Sequence, residues 1–160
     1  MTINNFRGTP LSNFFGAPVE YDGQLYPSAE NAYQAAKTED QEERKNLVSM
    51  APVMAKKWGR EIGLRKNWEA MKLSVMRTIL EDKFGCSPVA EYLASTSPHM
   101  LVEGNNWGDT YWGAVWVQKR ELPSRPGWKT WESEPGFSNL CLVGENHLGI
   151  LLMEIREELI

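Results

Sequence analysis

Residues 19–37 read VEYDGQLYPSAENAYQAAK, and this stretch carries the signals that decide the fold. Apolar residues alternate on both sides of Asp22-Gly23, a pair that tolerates the positive φ angles of a type I′ turn, so the pattern predicts a β-hairpin. Ser28 is a favourable helix N-cap, and the alanine-rich sequence after it predicts a helix. A hairpin followed directly by a helix is typical of a mixed α+β domain.

Helical signals dominate the rest of the chain. Capping residues and apolar residues at intervals of three and four predict further helices over residues 40–49, from Pro52, over 67–84 and 87–93, and from an Asn146 cap to Leu159. Short strands are predicted over residues 100–103 and 113–117. Residues 119–138 are rich in Pro, Gly, Ser and Trp and have no period, so a long ordered loop is expected there. The predicted fold class is α+β, mainly helical with a small β-sheet.

The composition indicates one globular domain. The chain has 160 residues, of which 42% are apolar and 24% charged, and no repeat or linker divides it. No cationic start precedes an apolar stretch, and no apolar run is long enough to span a membrane, so we expect a cytoplasmic protein without membrane partners. Cys86 and Cys141 form no C-x-x-C pattern and are expected to be free buried thiols in a reducing compartment. With two histidines besides, no metal site is predicted.

The charge is uneven although the net value is only -4. Residues 37–83 contain 11 basic against 8 acidic side chains, and the remainder of the chain is acidic. A basic excess this small argues against tight nonspecific binding of duplex DNA, which needs many phosphate contacts. It still permits a local phosphate or nucleotide pocket.

Two regions have the composition of a functional site. Glu30, Tyr33, Gln34 and Lys37 share one face of the predicted helix, where they could line a polar cleft; a solvated face is the alternative that the spacing leaves open. Residues 101–113 read LVEGNNWGDTYWG and combine carboxylates, amides, glycines and aromatic rings between two predicted strands. Aromatic surfaces beside carboxylates suit a flat base attached to a sugar, and packing beneath the long loop is the alternative.

Five blocks of the chain, in order and spacing, resemble the NADAR family, whose name stands for NAD- and ADP-ribose-associated. The blocks are LSNF at 11–14, PSAENAYQAAK at 27–37, RKNW at 65–68, DTYWG at 109–113 and ENHLGILLMEIR at 145–156. The resemblance extends from Phe6 to Leu159. It implies a single domain of the YbiA-like fold over residues 1–160, with an inserted loop at about residues 115–143.

The resemblance also implies a reaction class, because known members of the family are N-glycosidases. Some act on aminopyrimidine ribotides that are early riboflavin-pathway intermediates, and others remove ADP-ribose from guanine. The implied activity is hydrolysis of the ribose–amine C–N bond of a ribosylated heterocycle, either a small molecule or ADP-ribosylated guanine in nucleic acid. No cofactor is implied.

Carried over by motif, the family's polar pocket corresponds here to Asn13, Glu30, Lys37, Trp68, Asp109, Trp112 and Asn146. Glu30 and Asp109 are the candidate catalytic carboxylates, one to stabilise the sugar cation and one to protonate the leaving amine, in an order left open. Lys37 would contact phosphate, donate a proton or form an imine with the ring-opened sugar. Substrate binding is assigned to the remaining pocket residues and to Tyr33 and Gln34 from the helix face. The full set is Asn13, Tyr33, Gln34, Trp68, Trp112 and Asn146.

Two departures from the family pattern motivate an alternative function. The family usually has histidine where this chain has Asn31, and the loop at about residues 115–143 is longer than usual. The alternative is a noncatalytic module that binds ADP-ribose or a nucleotide. A partner-binding role for the tryptophan-rich loop is a third possibility.

Overall fold

The computed structural model describes residues 1–85, 88–131 and 139–160. The chain forms two compact units, one of residues Arg7–Leu93 and one of Met1–Phe6 with Ala94–Ile160. The described elements confirm the predicted mixture of helices with small sheets. None of the described helices is long and apolar enough to cross a membrane.

In chain order, the described helices and strands are β1 (Thr2–Ile3), β2 (Val19–Tyr21), β3 (Gln24–Tyr26), α1 (Ala29–Ala36), α2 (Gln41–Asn46), α3 (Pro52–Trp58), α4 (Trp68–Phe84), α5 (Val89–Ser95), β4 (Met100–Leu101), β5 (Gly104–Asn105), β6 (Ala114–Gln118), β7 (Lys129–Trp131), β8 (Leu140–Gly144) and α6 (His147–Leu159). A single 3₁₀ turn at Lys119–Glu121 follows β6. Cys86 and Ser87, the latter predicted to begin a helix, lie outside the described residues.

The unit Arg7–Leu93 is built around α1. The predicted hairpin is confirmed: β2 and β3 pair antiparallel, and Asp22 and Gly23 both have positive φ, at 52° and 76°. Ser28 caps α1 by accepting a hydrogen bond from the Asn31 N–H, as predicted. Every residue of α1 is buried, because the helix packs against the hairpin, α3 and α4. A helix that carries Glu, Gln and Tyr is thus surrounded by protein.

Helix α4 contributes several large apolar side chains to the core of this unit. Its buried residues follow the predicted helical spacing and are Trp68, Val75, Met76, Ile79, Leu80, Lys83 and Phe84. The predicted start at Asn67 is correct to one residue, although Asn67 adopts the left-handed conformation and makes no side-chain cap. Asp40 at the start of α2 and Pro52 at the start of α3 occupy the predicted positions.

The second unit contains the sheets β1-β4 and β5-β6-β8-β7. Strand β5 is parallel to β6, and β8 is antiparallel to both β6 and β7. Helix α6 packs against β4. The core at the four-stranded sheet consists of Val102, Ala114, Trp131 and Leu142. The buried free thiol of Cys141 confirms that part of the prediction.

The predicted loop over residues 119–138 is wrong in part, because it contains β7. Thr130 pairs with Val143, and the indole N–H of Trp131 donates to the Gly144 carbonyl over 3.1 Å. Three residues are too few to show an alternating pattern, so pairing with β8 and burial of Trp131 decide the strand. The predicted strands at 100–103 and 113–117 are present as the shorter β4 and as β6. Residues 132–138 lie outside the described residues.

Candidate active site

Glu30 lies in the first turn of α1 and is only 5% exposed. Its backbone N–H donates to the Asn13 carbonyl over 2.9 Å, and its Oε1 accepts a hydrogen bond from Gln34 Nε2 over 2.7 Å. The N-terminus of the helix and the amide donor stabilise the charged form of the carboxylate, an effect that burial opposes. Since Tyr33 and Gln34 are buried as well, the alternative of a solvated face is wrong for these residues.

Lys37 follows α1 directly and is half-buried. Its Nζ donates to the Gly59 carbonyl over 3.2 Å and lies 5.6 Å from the centre of the Tyr33 ring. Burial lowers the pKa of Lys37, which the Glu30 carboxylate opposes; Lys56 and Arg60 lower it further, and the carboxylate Glu69 raises it. The amine is therefore more easily deprotonated than an exposed lysine, which suits a group that gives up a proton or attacks a carbon.

Tyr33 and Trp68 form an aromatic surface next to Lys37. Their ring centres are 5.3 Å apart at an angle of 54°. Trp68 is the first residue of α4 and is 5% exposed. The structure thus brings together five of the predicted site residues, Glu30, Tyr33, Gln34, Lys37 and Trp68, which we call the α1 cluster.

Asn13 extends the α1 cluster through its contact with Glu30. Its amide Nδ2 lies 3.6 Å from Met76 Sδ. Its Oδ1 is buried and has no hydrogen-bond partner among the described residues, and the same is true of Gln34 Oε1. A buried acceptor without a donor is costly, so such atoms are candidates for contact with a ligand hydroxyl or amine.

Asn31, the departure from the family pattern, does not contribute its side chain to this cluster. Its Nδ2 donates to the carbonyls of Leu47 and Met50, each over 2.8 Å, and its Oδ1 accepts from Ser28 Oγ over 2.6 Å. These contacts attach α1 to the connection that follows α2. The substitution therefore concerns packing behind the helix, and the motive for a noncatalytic function is weakened.

Asp109 belongs to the other unit, where it organises a turn. Its Oδ1 accepts hydrogen bonds from the backbone N–H groups of Tyr111 and Trp112, over 3.1 and 2.9 Å. The Asn105 side chain binds the N–H and the carbonyl of Asp109. The predicted convergence of this carboxylate with Glu30 stays a prediction.

Trp112 lies in the loop 110–113, which is hydrogen-bonded to the start of α6. Four consecutive N–H groups, of residues 145–148, donate to the carbonyls of residues 110–113. The His147 ring lies 4.4 Å from the Tyr111 ring and 6.5 Å from the Trp112 ring, and its Nε2 is 2.8 Å from Glu145 Oε2. The sequence did not predict this pair of Glu145 and His147. The available signal was that the two residues stand two positions apart at the predicted start of the last helix.

Asn146 binds backbone groups within its own unit, and its predicted contact with substrate stays a prediction. It precedes α6 in the left-handed conformation, with φ 54°, and makes no side-chain cap, which corrects the predicted cap. Its Oδ1 accepts from the Glu103 N–H and its Nδ2 donates to the Leu101 carbonyl, each over 2.9 Å. The residue is fully buried, and both ends of its amide bind backbone.

The described ranges contain no group of three or more His, Cys, Asp or Glu side chains that could hold a metal ion. The site combines a buried carboxylate on α1, a half-buried amine directly after α1 and an aromatic surface between α1 and α4, in a mixed α/β fold. Residues 4–160 match the model of the NADAR domain, and the chain belongs to that family.

Individual relatives agree with this assignment. The chain is 34% identical to N-glycosidase YbiA of Escherichia coli (strain K12), over 99% of this chain and 89% of that protein. It is 29% identical to the riboflavin biosynthesis protein VVA0006 of Vibrio vulnificus (strain YJ016), over 93% of this chain but 35% of that protein. The NMR structure of E. coli YbiA superposes with a TM-score of 0.70 at 31% identity, covering 99% of this chain and 83% of that one.

Proposed function

We propose that this protein is an N-glycosidase that hydrolyses the ribose–amine C–N bond of a ribosylated heterocycle. The observation that carries the proposal is the buried carboxylate of Glu30, hydrogen-bonded to Gln34 on the same helix as Lys37. The relatives named N-glycosidase support the reaction class. The relative named for riboflavin biosynthesis favours aminopyrimidine ribotides as substrates, with ADP-ribosylated guanine as the second candidate.

The chemistry requires stabilisation of two opposite charges. As the C–N bond breaks, positive charge develops on the sugar ring and negative charge on the leaving amine. The Glu30 carboxylate stabilises the sugar cation, because the helix N-terminus and the Gln34 amide keep it ionised. Water then adds to the anomeric carbon and passes a proton to the neutral amine that Lys37 becomes when it protonates the leaving group, so the products are a free sugar hydroxyl and a free amine and the ammonium form of Lys37 is restored.

Lys37 supplies the proton to the leaving amine. Burial lowers its pKa, so the ammonium form is a stronger acid than that of an exposed lysine. Imine formation with the ring-opened sugar remains its alternative role, because a partly desolvated lysine is also a better nucleophile. The two roles differ in whether a covalent intermediate exists.

Tyr33, Trp68 and Asn13 bind the substrate. The Tyr33–Trp68 surface would pack against the flat heterocycle or exclude water from the sugar. The buried Asn13 Oδ1 would accept a hydrogen bond from a ribose hydroxyl. Asp109 is proposed as the second carboxylate on the resemblance to the family pattern alone. In the structure its Oδ1 accepts hydrogen bonds from two backbone N–H groups of the turn at 109–112.

The proposal is tested by product analysis with matched variants. Purified protein is incubated in parallel with an aminopyrimidine ribotide and with ADP-ribosylated guanosine, and released amine or base is measured by mass spectrometry. Glu30→Gln keeps an acceptor for Gln34 but removes the charge, and we expect release to fall by at least about 100-fold. Glu61→Gln, at an exposed position of the same unit, is the control and should match the wild type.

The outcomes separate the candidate functions. Full activity of Glu30→Gln would remove Glu30 from the mechanism. Binding of ADP-ribose without product from either substrate would favour the noncatalytic module.

A further inference from the structure

Gly59 lies at the end of α3, buried against α1. It forms the C-cap of α3, and its N–H donates to the Ala55 carbonyl over 2.9 Å. Its φ is -65°, a conformation that any residue adopts. The backbone therefore gives no reason for glycine at this position, and the reason must lie in the surrounding space.

Gln34 occupies the space that a side chain at position 59 would need. A Cβ there would lie 1.8 Å from Gln34 Oε1 and 2.7 Å from Gln34 Cδ. The other end of the same amide donates to Glu30 Oε1 over 2.7 Å. Gln34 is 3% exposed, so its amide is enclosed between the Gly59 backbone and the Glu30 carboxylate.

Gly59 also contacts the second charged group of the α1 cluster. Its carbonyl accepts the hydrogen bond from Lys37 Nζ, over 3.2 Å. One residue without a side chain thus supports both the amide that holds Glu30 and the ammonium group of Lys37. Gly63, four positions further along, has no atoms within 4 Å of the space for a Cβ, so a methyl group at that position would meet no neighbour.

We propose that Gly59 and Gln34 are positioning residues for the cleavage reaction: Gly59 leaves room for the Gln34 amide, and Gln34 holds the Glu30 carboxylate in place and in its ionised form. The inference rests on the proposed function, because it assumes that Glu30 takes part in catalysis. It assigns to Gln34 a contact with Glu30 in place of the substrate contact predicted from the sequence.

The test uses Gln34→Met, Gly59→Ala and the double variant. Methionine has nearly the length of glutamine but no N–H, so it keeps the packing and removes the hydrogen bond. Alanine at position 59 displaces the flexible end of Gln34 with little effect on the backbone. We expect each single variant to lower kcat about 10-fold to 100-fold, the range for losing one hydrogen bond to a charged group, with a smaller change in KM.

Two further readouts distinguish positioning from a general structural role. Removal of the amide donor destabilises the charged carboxylate, so the acidic limb of the kcat profile should move to higher pH in both variants. Because both substitutions remove the same contact, the double variant should lose no more than either single one. Gly63→Ala serves as the matched control, and thermal unfolding of all variants checks that they are folded.

Wild-type kcat and pH profile in Gln34→Met would overturn the inference, and additive losses in the double variant would show that Gly59 does not act through Gln34. Should the wild type release no amine from any substrate, the proposed function fails instead. The contact is then tested without activity, by NMR titration of the Glu30 carboxyl group. A higher pKa of Glu30 in both Gln34→Met and Gly59→Ala supports the contact, and an unchanged value refutes it.

Discussion

The α1 cluster and the turn at residues 105–112 use the same kinds of side chain in different ways. In the turn, Asn105 and Asp109 bind neighbouring backbone groups, and Asn146 does the same at the start of α6. Next to the α1 cluster, Asn13 Oδ1 is buried without a partner among the described residues. Polar side chains that bind backbone stabilise a fold, whereas polar atoms left without partners are available to a ligand. The comparison therefore supports the proposal that the α1 cluster carries chemistry, while the roles predicted for Asp109 and Trp112 stay predictions.

The largest expected effect concerns Lys37. If it protonates the leaving amine, Lys37→Met should lower amine release by about 100-fold or more without unfolding the protein, because general-acid catalysis contributes at least that much. Lys57→Met, at an exposed position of α3, is the control.

Borohydride reduction during turnover separates the two roles of Lys37: a covalent adduct at this residue would indicate an imine, and unmodified protein supports proton donation. Unchanged turnover of Lys37→Met would break the assignment of chemistry to α1.

The next largest effect concerns the stability of the unit that contains α6. An alanine in a helix usually stabilises relative to glycine, but a Cβ at Gly149 would lie 2.2 Å from the Leu101 carbonyl oxygen and 2.6 Å from the Asn146 amide. We expect Gly149→Ala to lower the free energy of unfolding by about 3 kcal/mol, measured by urea denaturation. Gly16→Ala, with open space around its Cβ, should change it by less than about 1 kcal/mol. Similar stabilities of the two variants would contradict the close packing at α6.

The variant Asn146→Ala measures how much a polar side chain that binds backbone stabilises the fold. It leaves the Glu103 N–H and the Leu101 carbonyl without their side-chain partner, so we expect a loss of about 2 kcal/mol in the free energy of unfolding. Thermal and urea unfolding measure this loss, and substrate titration of the folded variant measures KM. A variant of wild-type stability with a strongly raised KM would instead restore the substrate contact predicted from the sequence.

The smallest effect is a dependence of stability on pH. Lys83 is 2% exposed, donates to the Ser12 carbonyl over 2.8 Å, and burial lowers its pKa to about 7. Between this value and the ordinary value of 10.5 the unfolded chain binds more protons, so stability from this group rises with pH above about 7, by at most about 1.4 kcal/mol per pH unit. Urea unfolding at pH 7 and pH 8 should show the rise in the wild type and a smaller one in Lys83→Met. Equal slopes would mean that Lys83 is charged in the folded state throughout.

The sequence predicted local structure well where one short segment contains the whole cause. The turn at Asp22-Gly23, the Ser28 cap and the start of α3 at Pro52 depend on residues next to one another. It predicted β7 wrongly, because that strand depends on pairing with β8 and on burial of Trp131. Within the site, the spacing placed Glu30, Tyr33 and Gln34 on one face, but whether this face met water or protein depended on α3 and α4.

What the sequence determined by itself is therefore the order of the six described helices, the β2–β3 hairpin, the polar face of α1 and, through five ordered blocks, the family. What only the tertiary structure decided is how each polar side chain is used. Asn146 and Glu30 look equally suited to a site in the sequence, yet Asn146 binds two backbone groups, whereas Glu30 accepts a hydrogen bond from the Gln34 amide and lies next to Asn13, whose Oδ1 has no partner among the described residues. The physical reason is that a hydrogen-bond partner far along the chain leaves no local pattern, while its presence or absence decides whether a buried group stabilises the fold or remains available to a substrate.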